Sequence, residues 1–195
     1  MAAVVILLVA AVISSTINLL TENTQVRGMV VNITMEQRAM NYLKGDYAKE
    51  IGADRDDVQL SYIAFGDLAD QAESEQNFYA SMSVVNEVSA KMLDYMILDH
   101  HSMEFYGPQG VYGDLADLLP AEELAQLESE GRVITASEEG STEVWVIAID
   151  ITDTAFIKDN VSTEGKVYFS IAGNAPHKDM CLDVWNRINQ WETPQ

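Results

Sequence analysis

The run Leu93-Asp94-Tyr95-Met96-Ile97-Leu98 decides the fold. It is nearly all apolar, the pattern of a strand buried on both faces inside a parallel sheet. Before it, a long helix is expected to begin at Asp70, with Phe78, Met82, Val85, Val88 and Met92 on one stripe. Further upstream, Val58, Leu60, Tyr62 and Ala64 alternate with Gln59, Ser61, Ile63 and Phe65, which reads as a second strand over 58–65. Met40, Leu43, Tyr47 and Ile51 recur at three- and four-residue steps, giving a helix that closes at Gly52. A capping box of Thr34 and Gln37, with Glu36 in the first turn, is expected to open that helix. The first strand is Met29-Val30-Val31-Asn32-Ile33. Strand, helix, strand, helix, strand with crossovers of this length is a βαβαβ unit. The expected fold class is α/β, a mostly parallel sheet with helices on both faces, preceded by one transmembrane helix.

Downstream the style changes. Gly107-Pro108 stops a short helix, and Pro120 with Glu122 and Glu123 opens another that ends near Gly131. Arg132–Ala136 and Glu143–Ile151 flank the turn Glu138-Glu139-Gly140-Ser141, a hairpin signal. Gly165–Ala172 is one more strand. Asn174 is expected to cap a last helix, with Pro176 in its first turn and Met180, Cys181, Val184, Trp185, Ile188 and Trp191 as its buried stripe. No Pro- or Gly-rich linker and no repeat divides the region, so residues 27–192 read as one domain.

Charge splits the chain in two. No charged side chain occurs before Glu22, whereas the whole chain holds 31 Asp and Glu against 11 Lys and Arg, net −20. Ala2–Ile13 is unbroken apolar sequence, and Ile17–Leu20 extends it past Ser14-Ser15-Thr16. A helix of about 20 residues covers the ~30 Å of a bilayer's hydrocarbon core, so residues 1–21 read as a membrane anchor. A cleaved signal with Ser14 and Ser15 near its processing site is the alternative, although no Lys or Arg precedes Arg27 to form a basic n-region. The basic flank that orients such a span is then expected upstream of Met1. A lipoprotein signal is excluded because the single cysteine is Cys181. So acidic a surface is repelled by nucleic acid and by anionic lipid headgroups. The expected location is the cell membrane, single-pass, with an extracytoplasmic soluble domain.

Taken in order, several segments resemble extracellular solute-binding proteins of bacterial ABC importers, the type II periplasmic-binding-protein-like group. Leu93–Asp99, a short helix and then Gly113-Asp114-Leu115-Ala116-Asp117-Leu118-Leu119 are similar to that family's buried "pDvlv-d" strand and "g-l-dLtpll" turn. Val146-Ile147-Ala148-Ile149-Asp150 resembles its "g-k-yaiP" strand. Gly165–Ile171 and Asn174-Ala175-Pro176-His177-Lys178 look like its late strand and "n-s-p-n-k-e-a-a-w-f" helix. The family carries a second lobe roughly where residues 151–164 sit here, a segment too short for one. The resemblance implies a single lobe acting as a non-enzymatic binding or accessory module, with a small solute or a membrane protein as partner. A lone lobe offers half a cleft. A domain kept only for assembly of a membrane complex is a further reading.

Asp99-His100-His101, directly after the apolar strand, is similar to the "v-l-DHH" string of manganese-binding phosphoesterases and gives the enzymatic alternative. Those enzymes need another histidine and paired aspartates near the N-terminus, and the only other histidine here is His177. The competing account is a strand-to-helix turn, with Asp99 or Ser102 as cap and the histidines at the surface. Cys181 falls on an apolar helical stripe, where cysteine is ordinarily a small buried hydrophobe. Neither a Gly-x-Ser-x-Gly elbow nor a phosphate-cradling glycine loop occurs. The clusters Asp54/Asp56/Asp57 and Asp67/Asp70/Glu73/Glu75 lack the spacing of a calcium loop. No catalytic residue, metal or cofactor is therefore expected. Open α/β sheets bind ligands beyond the carboxyl ends of their parallel strands, which places the candidate site at Asn32, Thr34, Gly66, Asp67, Asp99, His100 and His101.

Overall fold

The computed structural model describes residues 24–64, 74–137, 143–163 and 165–193. In chain order its strands are β1 (Val26–Val31), β2 (Thr34–Met35), β3 (Val58–Ile63), β4 (Tyr95–Asp99), β5 (Val133–Ala136), β6 (Trp145–Asp150), β7 (Val161–Ser162) and β8 (Val167–Ile171). The α-helices are α1 (Gln37–Asn41), α2 (Tyr47–Ile51), α3 (Ser74–Ser89), α4 (His100–Tyr106), α5 (Ala121–Ser129), α6 (Ala155–Asn160) and α7 (Lys178–Asn189). A π-helical stretch, Tyr42–Asp46, joins α1 to α2.

Six strands form one sheet in the order β3-β1-β4-β8-β6-β5. The β3, β1 and β4 neighbours are parallel, as the crossover pattern predicts. The other half is antiparallel: β8 against β4, β6 against β8, and β5 against β6. The sheet is therefore mixed, where a mostly parallel one is expected from the strand and helix order. The reason is the β5–β6 hairpin. It supplies two strands with no helical crossover between them, and β8 fills the gap between β4 and β6 from the opposite direction.

Burial alternates along the central strands and makes two cores. Val26, Val30, Tyr95, Ile97, Val167, Phe169 and Ile171 face one side, where Leu43, Tyr47, Leu127, Phe156, Val184, Trp185 and Ile188 of the helical layer cover them. Met29, Val31, Met96, Leu98 and Tyr168 face the other, under Val84, Val88, Met103 and Tyr106. Helices thus lie on both faces. β4 is buried on both, as its apolar run requires.

Local expectations are corrected at several helix starts and faces. Thr34 pairs with Ser162 in a two-stranded ladder, and the N-cap of α1 is Glu36 with no side-chain cap, so there is no Thr34–Gln37 box. Asn174 does not cap α7, whose N-cap position is His177. The cap comes from Asp94, whose Oδ1 accepts the His177 N–H at 2.8 Å from across the sheet. Among the α3 residues whose burial is described, Ser81, Val84 and Val88 are buried, and Met82 and Val85 are only half-buried. The start at Asp70, the hairpin turn and residues 1–21 lie outside the described residues. Among the described residues no helix is long and apolar enough to cross a membrane.

Candidate functional site

At the carboxyl ends of the parallel strands, three of the expected residues meet. Asn32 follows β1 in the left-handed region, φ 56°, a conformation that asparagine tolerates better than most residues. Its Nδ2 donates to Asp99 Oδ2 at 2.8 Å. Asp99 Oδ1 accepts from the Ser102 N–H at 2.8 Å, which caps α4. Both carboxylate oxygens are thus engaged in structure. His100 shares a hydrogen bond of 3.0 Å between Nδ1 and the Tyr168 hydroxyl, and its Nε2 lies 3.3 Å from Glu104. Thr34 and His101 do not join this group: Thr34 is exposed in the β2–β7 ladder and His101 is exposed on α4. Gly66 and Asp67 lie outside the described residues. No group of three His, Cys, Asp or Glu side chains able to hold a metal ion occurs among the described residues.

The same edge gathers residues that sequence reasoning missed. Asp150 ends β6 and pairs with Tyr168 in the ladder. Its Oδ1 accepts from Thr152 N–H at 3.0 Å and Oγ1 at 2.6 Å, and its Oδ2 lies 2.9 Å from Lys166 Nζ. Burial opposes ionisation of Asp150, but the hydrogen bonds from Thr152 and Lys166 outweigh it and hold the carboxyl below its ordinary value. The available signal was a charged residue closing an apolar run, the feature that picked out Asp99.

The amino edge of the sheet carries a second polar cluster. Asp94 is fully buried, and its Oδ2 accepts from the Arg27 N–H at 2.8 Å and lies 3.1 Å from His177 Nδ1. Cys181 stands one helical turn from His177, so the three side-chain types of a Cys-His-Asp relay are close together. The geometry does not assemble one. The Cys181 thiol points at the His177 carbonyl, 3.5 Å away, while the imidazole is committed to Asp94. Burial, with the Asp94 charge adding to it, pushes the Cys181 thiol far above its ordinary value, the reverse of what activates a thiolate.

Beside this cluster, on the same edge, lies a cleft of about 710 Å3. One wall is the loop after α4, with Pro108, Gly110, Tyr112 and Asp114; the other is the turn end of the β5–β6 hairpin, with Ala136, Trp145 and Ile147. Two short links tie the loop down, one to the end of β8 and one to the hairpin. Tyr112 forms a bridge with Ala172, and Asp114 Oδ1 accepts from the N–H groups of Ala116 at 2.9 Å and Val146 at 3.0 Å. Close packing of this loop requires Gly113, where a Cβ would meet the Ala172 carbonyl oxygen at 2.9 Å. The Tyr112 hydroxyl donates into the end of α4, toward the Ser102 and Met103 carbonyls, and burial pushes it well above its ordinary value. Trp145 is half-buried, and its indole makes no hydrogen bond, ring contact or cation–π contact among the described residues. No family model, curated protein or solved structure matches this chain.

Proposed function

We propose that this chain is a membrane-anchored, extracytoplasmic α/β binding module, related to one lobe of a solute-binding protein and working without catalysing a reaction. The observation that carries the reading is the cleft on the amino edge, where Trp145, Tyr112 and Asp114 line a recess of about 710 Å3. That volume falls within the range of small-molecule sites, and the mixture of aromatic surface and one polar anchor is their usual lining. The groups able to do chemistry are engaged elsewhere: Cys181 is buried, Asp99 caps α4 and His177 is clamped to Asp94.

The tethered half of the reading is supported by how the soluble part begins. The Gln25 N–H donates to the Asp57 carbonyl at 2.7 Å, and β1 starts at the next residue. Only Glu22, Asn23 and Thr24 separate that bond from the uncharged run ending at Thr21. The test is expression of the full chain in a bacterium, followed by fractionation and external protease treatment of spheroplasts. The chain should stay with membranes through carbonate extraction and lose its domain to the protease. Recovery as a soluble, protease-protected protein would overturn both the anchoring and the location.

A further inference from the structure

We propose that the amino-edge cleft takes an organic cation, a small molecule bearing an ammonium group. This deepens the binding-module reading and rests on it. Three features of the lining point the same way. First, no Lys, Arg or His lines the cleft among the described residues, so nothing there neutralises an anion or repels a cation. Second, the one carboxylate among the described lining residues is presented rigidly. Asp114 spends Oδ1 on two backbone N–H donors, from Ala116 and Val146, and its Oδ2 has no partner among the described residues. Third, the Trp145 ring has no cation and no aromatic partner among the described residues. An indole face is the best of the aromatic surfaces for attracting an ammonium group.

The rest of the molecule acts in the same direction. A net charge of −20 raises the local concentration of cations around the whole domain and lowers that of anions. A neutral sugar is the competing occupant, since it also stacks on tryptophan. It needs several hydrogen-bonding side chains, and this lining offers few. The Tyr112 hydroxyl is turned to the Ser102 and Met103 carbonyls, leaving Asp114 and the exposed Ser137. Much of the remaining wall is glycine backbone. A carboxylate paired with an aromatic face, without a polar network, is recognition chemistry for a cation.

The experiment is calorimetric titration of the full chain in nonionic detergent micelles with choline chloride. Sodium chloride at matched ionic strength and maltose serve as the comparison titrants. Choline is expected to bind saturably where sodium and maltose do not. Trp145→Ala should weaken it by about 2- to 30-fold, the span of cation–π contributions, and Trp145→Phe should retain most of the affinity. Asp114→Asn keeps the Oδ1 acceptor for both N–H donors while removing the charge, and should weaken choline about as much. These two variants carry the test if Trp145→Ala does not fold. Choline binding indifferent to all three substitutions would be an ion atmosphere on an acidic surface and would overturn the site. Maltose binding that Trp145→Phe or Asp114→Asn weakens would overturn the cation assignment and leave the binding module standing. Absence of choline binding overturns the cation assignment; should acrylamide also fail to quench Trp145 in a chain carrying Trp185→Phe and Trp191→Phe, the cleft is closed and the binding-module reading falls with it.

Discussion

Replacing Gly28 by alanine tests the packing on which the parallel half of the sheet is built. Gly28 lies opposite Tyr95 in the β1–β4 ladder. A methyl group there would sit 2.1 Å from Cζ, 2.3 Å from Oη and 2.6 Å from Cε1 of that ring. Carbon atoms rest about 3.5–4.0 Å apart, so the ring would have to move by more than ~1 Å. It has no room to do so. Tyr95 is 0% exposed, stacks on Phe169 at 5.8 Å between ring centroids, and already holds its hydroxyl without a hydrogen-bond partner among the described residues. Alanine on its own would favour a strand interior over glycine by roughly 0.5–1 kcal/mol. Overpacking a dense core costs about 1–3 kcal/mol and sometimes more, so the clash outweighs that gain and the variant should be destabilised by a net ~0.5–2 kcal/mol. Tyr95→Leu alone should also be destabilising, by about 2–4 kcal/mol. The double variant should lose less than the sum, with a coupling of ~1 kcal/mol or more, because the shorter side chain vacates the space the methyl needs. Urea denaturation followed by circular dichroism gives all four corners of the cycle, provided the slopes agree. A neutral Gly28→Ala, or strictly additive losses, would refute the reasoning.

Asp94→Ala should cost about 3–5 kcal/mol, because it strips acceptors from the N–H groups of Arg27 and His177 in the interior. Asp94→Asn should recover part of that loss in the same urea titration, and equal losses would show that the acceptor geometry is not what matters. Cys181 should react with a thiol-specific disulfide reagent only as fast as the domain unfolds, given its burial; prompt labelling of the native chain would contradict its placement. The lowered pKa of Asp150 implies stability that is fully present at neutral pH and lost as pH falls below the ordinary 3.8 through the folded-state value. Thr152→Val removes the Oγ1 bond and should flatten the acid limb of stability against pH between about 2 and 6; an unchanged slope would argue against the clamp.

What was legible in the sequence was whatever is encoded locally. The apolar run Leu93–Leu98 gave away a doubly buried strand, since six residues are too few for a buried helix and a strand covered on both faces hides them all. The spacing of Cys181, Val184, Trp185 and Ile188 marked the face of α7 that meets the sheet. Asp99 was readable as the end of a strand and the cap of a helix because those two roles are adjacent in sequence. Strand direction was another matter. Val167–Ile171 has the same apolar character whether it runs with β4 or against it, and the ladder partner alone decides. The cap of α7 was equally hidden, because Asp94 reaches it from 83 residues away and the local candidate Asn174 leaves its Oδ1 unpaired. The cleft was least legible of all. Its walls come from a loop near Asp114 and a strand end at Trp145, and no periodic pattern links positions that only the hairpin's return brings together.

The two edges of the sheet are not equivalent once the chain's point of entry is considered. β1 enters from the Gln25–Asp57 contact and runs to Val31, six residues, before reaching Asn32. At ~3.3 Å per residue the carboxyl edge therefore lies about 20 Å farther along the strands than Gln25. If residues 1–21 are held in a bilayer as proposed, Asn32, Asp99 and His100 would stand away from the membrane, while Trp145 and Asp114 would sit on the edge that approaches it. A ligand gripped at that edge would meet a membrane partner without the domain having to turn over. Capture at the outer edge would require a reorientation through the short link Glu22-Asn23-Thr24, which spans only about 10 Å when extended. Lengthening the link separates the two arrangements. Ten added glycine and serine residues should weaken delivery from the inner edge by diluting the cleft away from its partner, and should assist delivery from the outer edge by allowing the domain to swing.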